Sequence, residues 1–208
     1  MKIKYFNEFN DELTNNQINN SINYYKVYFD SNDNILSKKY FKNGILFSIH
    51  HFLNNNENEN EIIDNLLLSA PVYIYIITSE IINGNRLELY NIYKGNILIR
   101  YSKKLYDHFG NVICDTPYFL ETNSADYVLT TKYYYDKEKE FESDLVFRVS
   151  YDHDGSLLSL TYNPEGEQDS EGFGDTEEDI SELASLTGKS ENFIRYYMNG
   201  NILPPPSN

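Results

Sequence analysis

"YYKVYFDSNDNILSKKYFKNGILFSIHHF", residues 24 to 52, is the stretch on which the fold class turns. Three runs of aromatic and β-branched residues are divided first by "SNDN" and then by Asn43-Gly44. Asn-Gly between two such runs is a strong hairpin signal, because both central residues of a type I′ turn need positive φ. Outward along the chain the same punctuation recurs at Asn83-Gly84-Asn85, Lys94-Gly95-Asn96, Phe109-Gly110-Asn111 and Asp154-Gly155. About eight to ten mostly antiparallel strands are expected between Tyr24 and Tyr162. One interruption is helical: "ENEIIDNLLLS" sets Ile62, Ile63, Leu66 and Leu67 on one helical stripe before Pro71 ends it. A second, thinner pattern (Phe6, Phe9, Leu13, Ile18) predicts a helix over 10–19. The fold class that follows is α+β, a mostly antiparallel β-sheet of stacked hairpins carrying one or two helices.

At 208 residues the chain can bury roughly 70% of its unfolded surface, so it needs no disulfide or metal for stability. Thirty-two acidic residues against seventeen basic ones give a formal net charge of −15, a field that repels nucleic acid and anionic membranes and favours a basic partner. Twenty tyrosines and twelve phenylalanines without a tryptophan suit sheet faces and protein partners, or carry the imprint of an AT-rich genome. Cys114 is the lone cysteine, and "MKIKYFNEFND" lacks the apolar core of a secretory signal. A reducing cytoplasm is expected. The longest uncharged apolar stretch, "VYIYII" (72 to 77), is far short of a membrane helix.

Catalytic signatures are missing. Tyr106-Asp107-His108-Phe109-Gly110 and Tyr151-Asp152-His153-Asp154-Gly155 nearly repeat. Brought together, their Asp-His pairs would suit zinc or iron. As hairpin corners, the Asp accepts backbone N–H groups and the Gly takes positive φ, and the turn-then-alternation continuations favour that reading. "FDSNDNILSKKYF" follows the same plan without histidine. His50 and His51 alternate along a strand, so they point to opposite faces. Cys114 reads as a small core residue. "TGKS" (187 to 190) ends like a phosphate-binding loop, but Leu183 stands where that loop needs glycine. No enzyme, cofactor or metal is expected. The hairpin units weakly resemble the tyrosine-aspartate repeats of bacterial toxin and immunity systems, which implies a toxin-neutralising context.

The chain closes on "DISELASLTGKSENFIRYYMNGNILPPPSN", residues 179 to 208. Thr176 can cap a helix from Glu177, with Ile180, Leu183 and Ala184 inward and Gly188 as its left-handed stop. Ser190 can cap a second helix with Phe193, Ile194, Tyr197 and Met198 on its apolar side. Two short helices on a tight turn are a helix-turn-helix. From Asp179 to Pro206 this segment resembles the first two helices of the mercury-resistance-regulator (MerR) family, without that family's wing or coiled-coil helix. The resemblance implies that Ser190 to Asn192 approach the major groove and that Arg195 and Tyr196 face phosphate.

Three segments are thus expected: a hairpin-rich α+β domain (1–162), an acidic linker (163–176) and a helix-turn-helix tail (177–208). Nine acidic side chains and no basic one lie between Asn163 and Glu182. The expected function is a non-enzymatic immunity or antitoxin-type inhibitor of a basic effector, such as a nuclease toxin. Its candidate contacts are Glu165, Glu167, Asp169, Glu171, Asp175, Glu177, Glu178 and Asp179. The alternative is a transcriptional regulator that touches DNA through Ser190, Asn192, Arg195 and Tyr196, a role the charge disfavours.

Overall fold

Hairpin punctuation is realised where the sequence places it. Asn43 and Gly44 take φ of 53° and 72°, and the turn joins β3 (Ile35–Lys42) to β4 (Ile45–Phe52). Asp30 closes the preceding turn, its carboxylate accepting the N–H groups of Asn32 and Asn34 at 2.7 and 2.8 Å. The computed structural model describes residues 1–54, 56–67, 73–135, 145–162 and 171–202. Among them are twelve strands and four α-helices, an α+β class with more strands than the turn count suggested.

The chain divides into two units, Met1–Ser79 with Leu89–Tyr101 and Glu80–Glu88 with Ser102–Asn208. In the first unit β1 (Lys2–Phe6), β2 (Tyr24–Phe29), β3 and β4 pair antiparallel in chain order. β4 then pairs with β5 (Tyr73–Ile82) in parallel, from Ser48↔Tyr73 to Phe52↔Ile77. This departs from the hairpin plan, and α2 (Glu59–Leu67) is its cause. A crossover helix returns the chain to the end it left, so the next strand must run the same way. The predicted stripe of α2 is what it buries: Ile63 packs with Ile49, Ile74 and Ile76, flanked by Ile62, Leu66 and Leu67. The earlier helix, α1, occupies only Asn15–Asn20. Asn10 takes φ of 65° and Asn7 binds the N–H groups of Phe9 and Asp11, so the chain turns there and runs back beside β1, with Glu12 bridged to Phe6, where the first half of the 10–19 helix was expected.

The second unit holds β8 (Val112–Tyr118), β9 (Thr131–Tyr135), β10 (Leu145–Tyr151), β11 (Leu157–Tyr162) and β12 (Glu171–Phe173), each pair antiparallel. It also receives the ends of β6 (Asn85–Lys94) and β7 (Ile97–Tyr106). Of the expected linker, 163–170 lies outside the described residues. Its next part is a strand, with Leu160↔Phe173 and Tyr162↔Glu171 in register. The helices that follow, α3 (Glu177–Thr187) and α4 (Glu191–Tyr197), share one buried core with β9 to β12. The described part of the tail thus shares the core of the second unit. No described helix is long and apolar enough to cross a membrane.

Candidate functional site

α3 and α4 are built as their caps dictate. Thr176 Oγ1 accepts the N–H of Asp179 at 3.1 Å, Gly188 sits at φ 65°, and Ser190 Oγ accepts the N–H of Phe193 at 3.2 Å. Thr176→Ala should lower the stability of the second unit by about 1 kcal/mol, the usual worth of such a cap, read by urea denaturation. Three acids, Glu177, Glu178 and Asp179, occupy the first turn of α3, where the helix dipole is positive.

Inward, Leu183 and Ile194 are completely buried, and the Tyr197 ring meets those of Phe147 (4.8 Å), Phe193 (5.4 Å) and Tyr196 (4.9 Å). The end of α4 is satisfied by side chains from the strands. Lys132, fully buried on β9, donates to the carbonyls of Tyr196 and Asn199, the latter at 2.7 Å. Tyr151 donates to the Tyr197 carbonyl at 2.8 Å. Gly200 N–H then bonds the Gly155 carbonyl at 2.9 Å, fastening the chain beyond α4 to the β10–β11 turn. Sequence reasoning missed Lys132, although strand alternation in "TKYYY" puts it on the same face as the buried Tyr134. Burial lowers its pKa to about 7, and its Nζ lies 3.6 Å from the centroid of the Tyr196 ring.

Outward, the residues expected to touch DNA are differently occupied. Arg195 is gripped bidentately by Glu177, with Nη1 to Oε1 at 2.9 Å, and has Glu191 at 3.7 Å. The Glu177 contact raises its pKa and lowers that of Glu177. Tyr196 is buried, so it faces the core where the family resemblance implied phosphate. Ser190 is the helix cap and Asn192 is exposed. Among the described candidate acids, Asp175 and Glu178 are exposed, while Asp179 is half-buried and takes part in the cap. Glu165, Glu167 and Asp169 lie outside the described residues, and Glu171 opens β12. Exposed Glu182, on the same helix, was not singled out in the sequence.

No family model, curated protein or solved structure matches the chain. What the molecule can do must be read from its own groups. His108 and His153 are exposed in the two corners, where Asp107 accepts the N–H groups of Phe109 and Asn111 and Asp152 accepts that of His153. Both motifs are turns, and the described residues hold no group of three or more metal-binding side chains. Cys114, paired in register with Lys132, is fully buried, and burial pushes its thiol pKa up.

Charge separates the two units. The first carries eight basic and nine acidic residues, net −1; the second carries nine basic and twenty-three acidic, net −14. The net negative charge therefore belongs almost wholly to the second unit.

Proposed function

We propose that this chain is a non-enzymatic binding protein of the immunity or antitoxin type, whose second unit neutralises a basic effector such as a nuclease toxin by direct contact. The observation that carries this reading is the net charge of −14 gathered in that unit, with Asp175, Glu178 and Glu182 exposed around α3. Such a field accelerates encounter with a basic surface, and its effect falls steeply with salt. Co-expression with a panel of basic bacterial nuclease toxins tests the reading. One toxin should be rendered harmless, and Glu178→Lys with Glu182→Lys should slow association with it about tenfold at low ionic strength. Failure of every basic toxin to bind, or an unchanged association rate in the double variant, overturns it.

A second reading, a DNA-binding regulator with a MerR-like helix-turn-helix, draws on the capped pair of helices and their three-residue turn, Gly188 to Ser190. Against it stand the ion-paired Arg195 and the buried Tyr196, which leave few groups to neutralise phosphate. Duplex DNA at physiological salt should show no sub-micromolar binding. Tight binding that Arg195→Ala abolishes would favour the regulator.

A further inference from the structure

The first unit carries a different surface. β-pairing places Tyr25, Tyr40, Ser48 and Tyr73 opposite one another on four successive strands, β2 to β5. A bulge after Tyr40 leaves Phe47 without a register partner beside Ser48, and its ring joins the row. The rings follow one another at 4.8 Å (Tyr25–Tyr40), 6.0 Å (Tyr40–Phe47) and 5.7 Å (Phe47–Tyr73). Alongside, His50 stacks on Tyr75 at 4.2 Å. Ile49, Ile74 and Ile76, which alternate with these residues, lie under α2, so the aromatic row is on the opposite face of the strands. Phe47, 44% exposed, is the most open ring of the row.

Cations are interleaved with the rings. Exposed Lys42 stands 5.7 Å over Phe47, and exposed Lys94 stands 5.9 Å over Tyr73. Arg100 acts electrostatically on Tyr75. At the end of the row Tyr25 passes into a cleft of about 360 Å³ that Phe29, Val27, Lys38, His50 and Glu8 also line. Glu8 accepts from Tyr40 at 2.7 Å and from Asn23 at 3.2 Å, and offers acceptor oxygens at the cleft rim. Burial lowers the His50 pKa to about 4, so its ring is uncharged at neutral pH.

We infer that this face of the first unit is a stacking platform for single-stranded nucleic acid. Flat rings at successive strands, with lysines between them, match the spaced bases and the charged backbone of a single strand. A basic protein would meet Lys42 and Lys94 as like charges, and an acidic protein without exposed rings would leave the aromatic row unused. A duplex hides its base faces and could engage only the lysines. The inference is separate from the basic-effector reading, which rests on the other unit, so either can fail alone.

Fluorescence anisotropy with labelled oligo-dT and oligo-U of about a dozen nucleotides, a length within the range of such sites, tests it on the full chain. Binding is expected at low salt, weakening roughly tenfold for a fourfold rise in salt, as two or three phosphate contacts require. Phe47→Ala should weaken it about tenfold, the worth of one stacked base. Arg195→Ala, in the other unit, should retain binding. Comparison of the two oligonucleotides tells DNA from RNA, and binding of either supports the platform. Absence of binding at low salt, equal affinity for the matching duplex, indifference to Phe47→Ala, or equal competition by polyglutamate would overturn it. The last result would make the face a dock for acidic peptides.

Discussion

Lys132→Ala is expected to destabilise the second unit by about 3–5 kcal/mol, the range for opening a core and stranding its polar groups. The side chain is fully buried and is the donor to two carbonyls at the end of α4, those of Tyr196 and Asn199. Removing it strands the buried Tyr196 carbonyl, at about 1–3 kcal/mol, and takes a partner from the part-buried Asn199 carbonyl, partly offset because no amine need then be buried. Lys132→Met, which refills the space, should recover part of the loss but not the hydrogen bonds. The two variants together separate packing from polar satisfaction, measured by urea denaturation.

The same lysine sets a pH dependence whose sign is opposite to that of a stabilised ion pair. Its pKa is lowered from 10.5 to about 7 by burial. Between these values the unfolded chain holds a proton that the folded protein has shed, so stability rises with pH across that window. From pH 7 to pH 9 the gain of the parent protein over Lys132→Met should be about 2 kcal/mol. Using the difference between the two proteins cancels the groups common to both. An equal pH slope in both proteins would mean that Lys132 stays charged in its pocket.

Ile194→Ala should cost about 2–5 kcal/mol, as for other fully buried aliphatic side chains. Ile194 is completely buried, and it lies in the core that α3 and α4 share with β9, β10 and β11. The consequence reaches beyond the helix. Hydrogen exchange at Val146 and Val149 of β10 should accelerate together with that of α4, because one core opens as a unit. Protection of β10 that outlasts α4 would instead show a tail that unfolds alone. Leu186, on α3 but 45% exposed, is the control, and its replacement by alanine should stay within about 0.5 kcal/mol.

Much of the local architecture was legible. Asn43-Gly44, the aspartate-led corners, Thr176, Gly188 and Ser190 each act through backbone groups a few positions away, and all sit where their chemistry predicts. The stripe of α2 was visible for the same reason. The parallel pairing of β4 with β5 was not, because pairing direction depends on where a crossover delivers the chain. The expected start of α1 failed because Asn7 and Asn10 stabilise a turn that competes with the helix.

The tail marks the boundary between the two kinds of information. Its caps and apolar stripes, written within 30 residues, determined two short helices and a turn. Which groups those helices leave for a partner was decided by residues much further away. Tyr134, Phe147 and Tyr151 cover the side carrying Tyr196 and Tyr197, while within the tail the packing of α3 beside α4 brings Glu177 to Arg195. Helix formation depends on neighbours along the chain, whereas burial and charge pairing depend on which surfaces tertiary contacts bring together. The charge asymmetry was already written in the sequence, since residues 102–208 hold eight basic and twenty-one acidic groups, whereas the cross-strand aromatic row of the first unit was set by tertiary pairing.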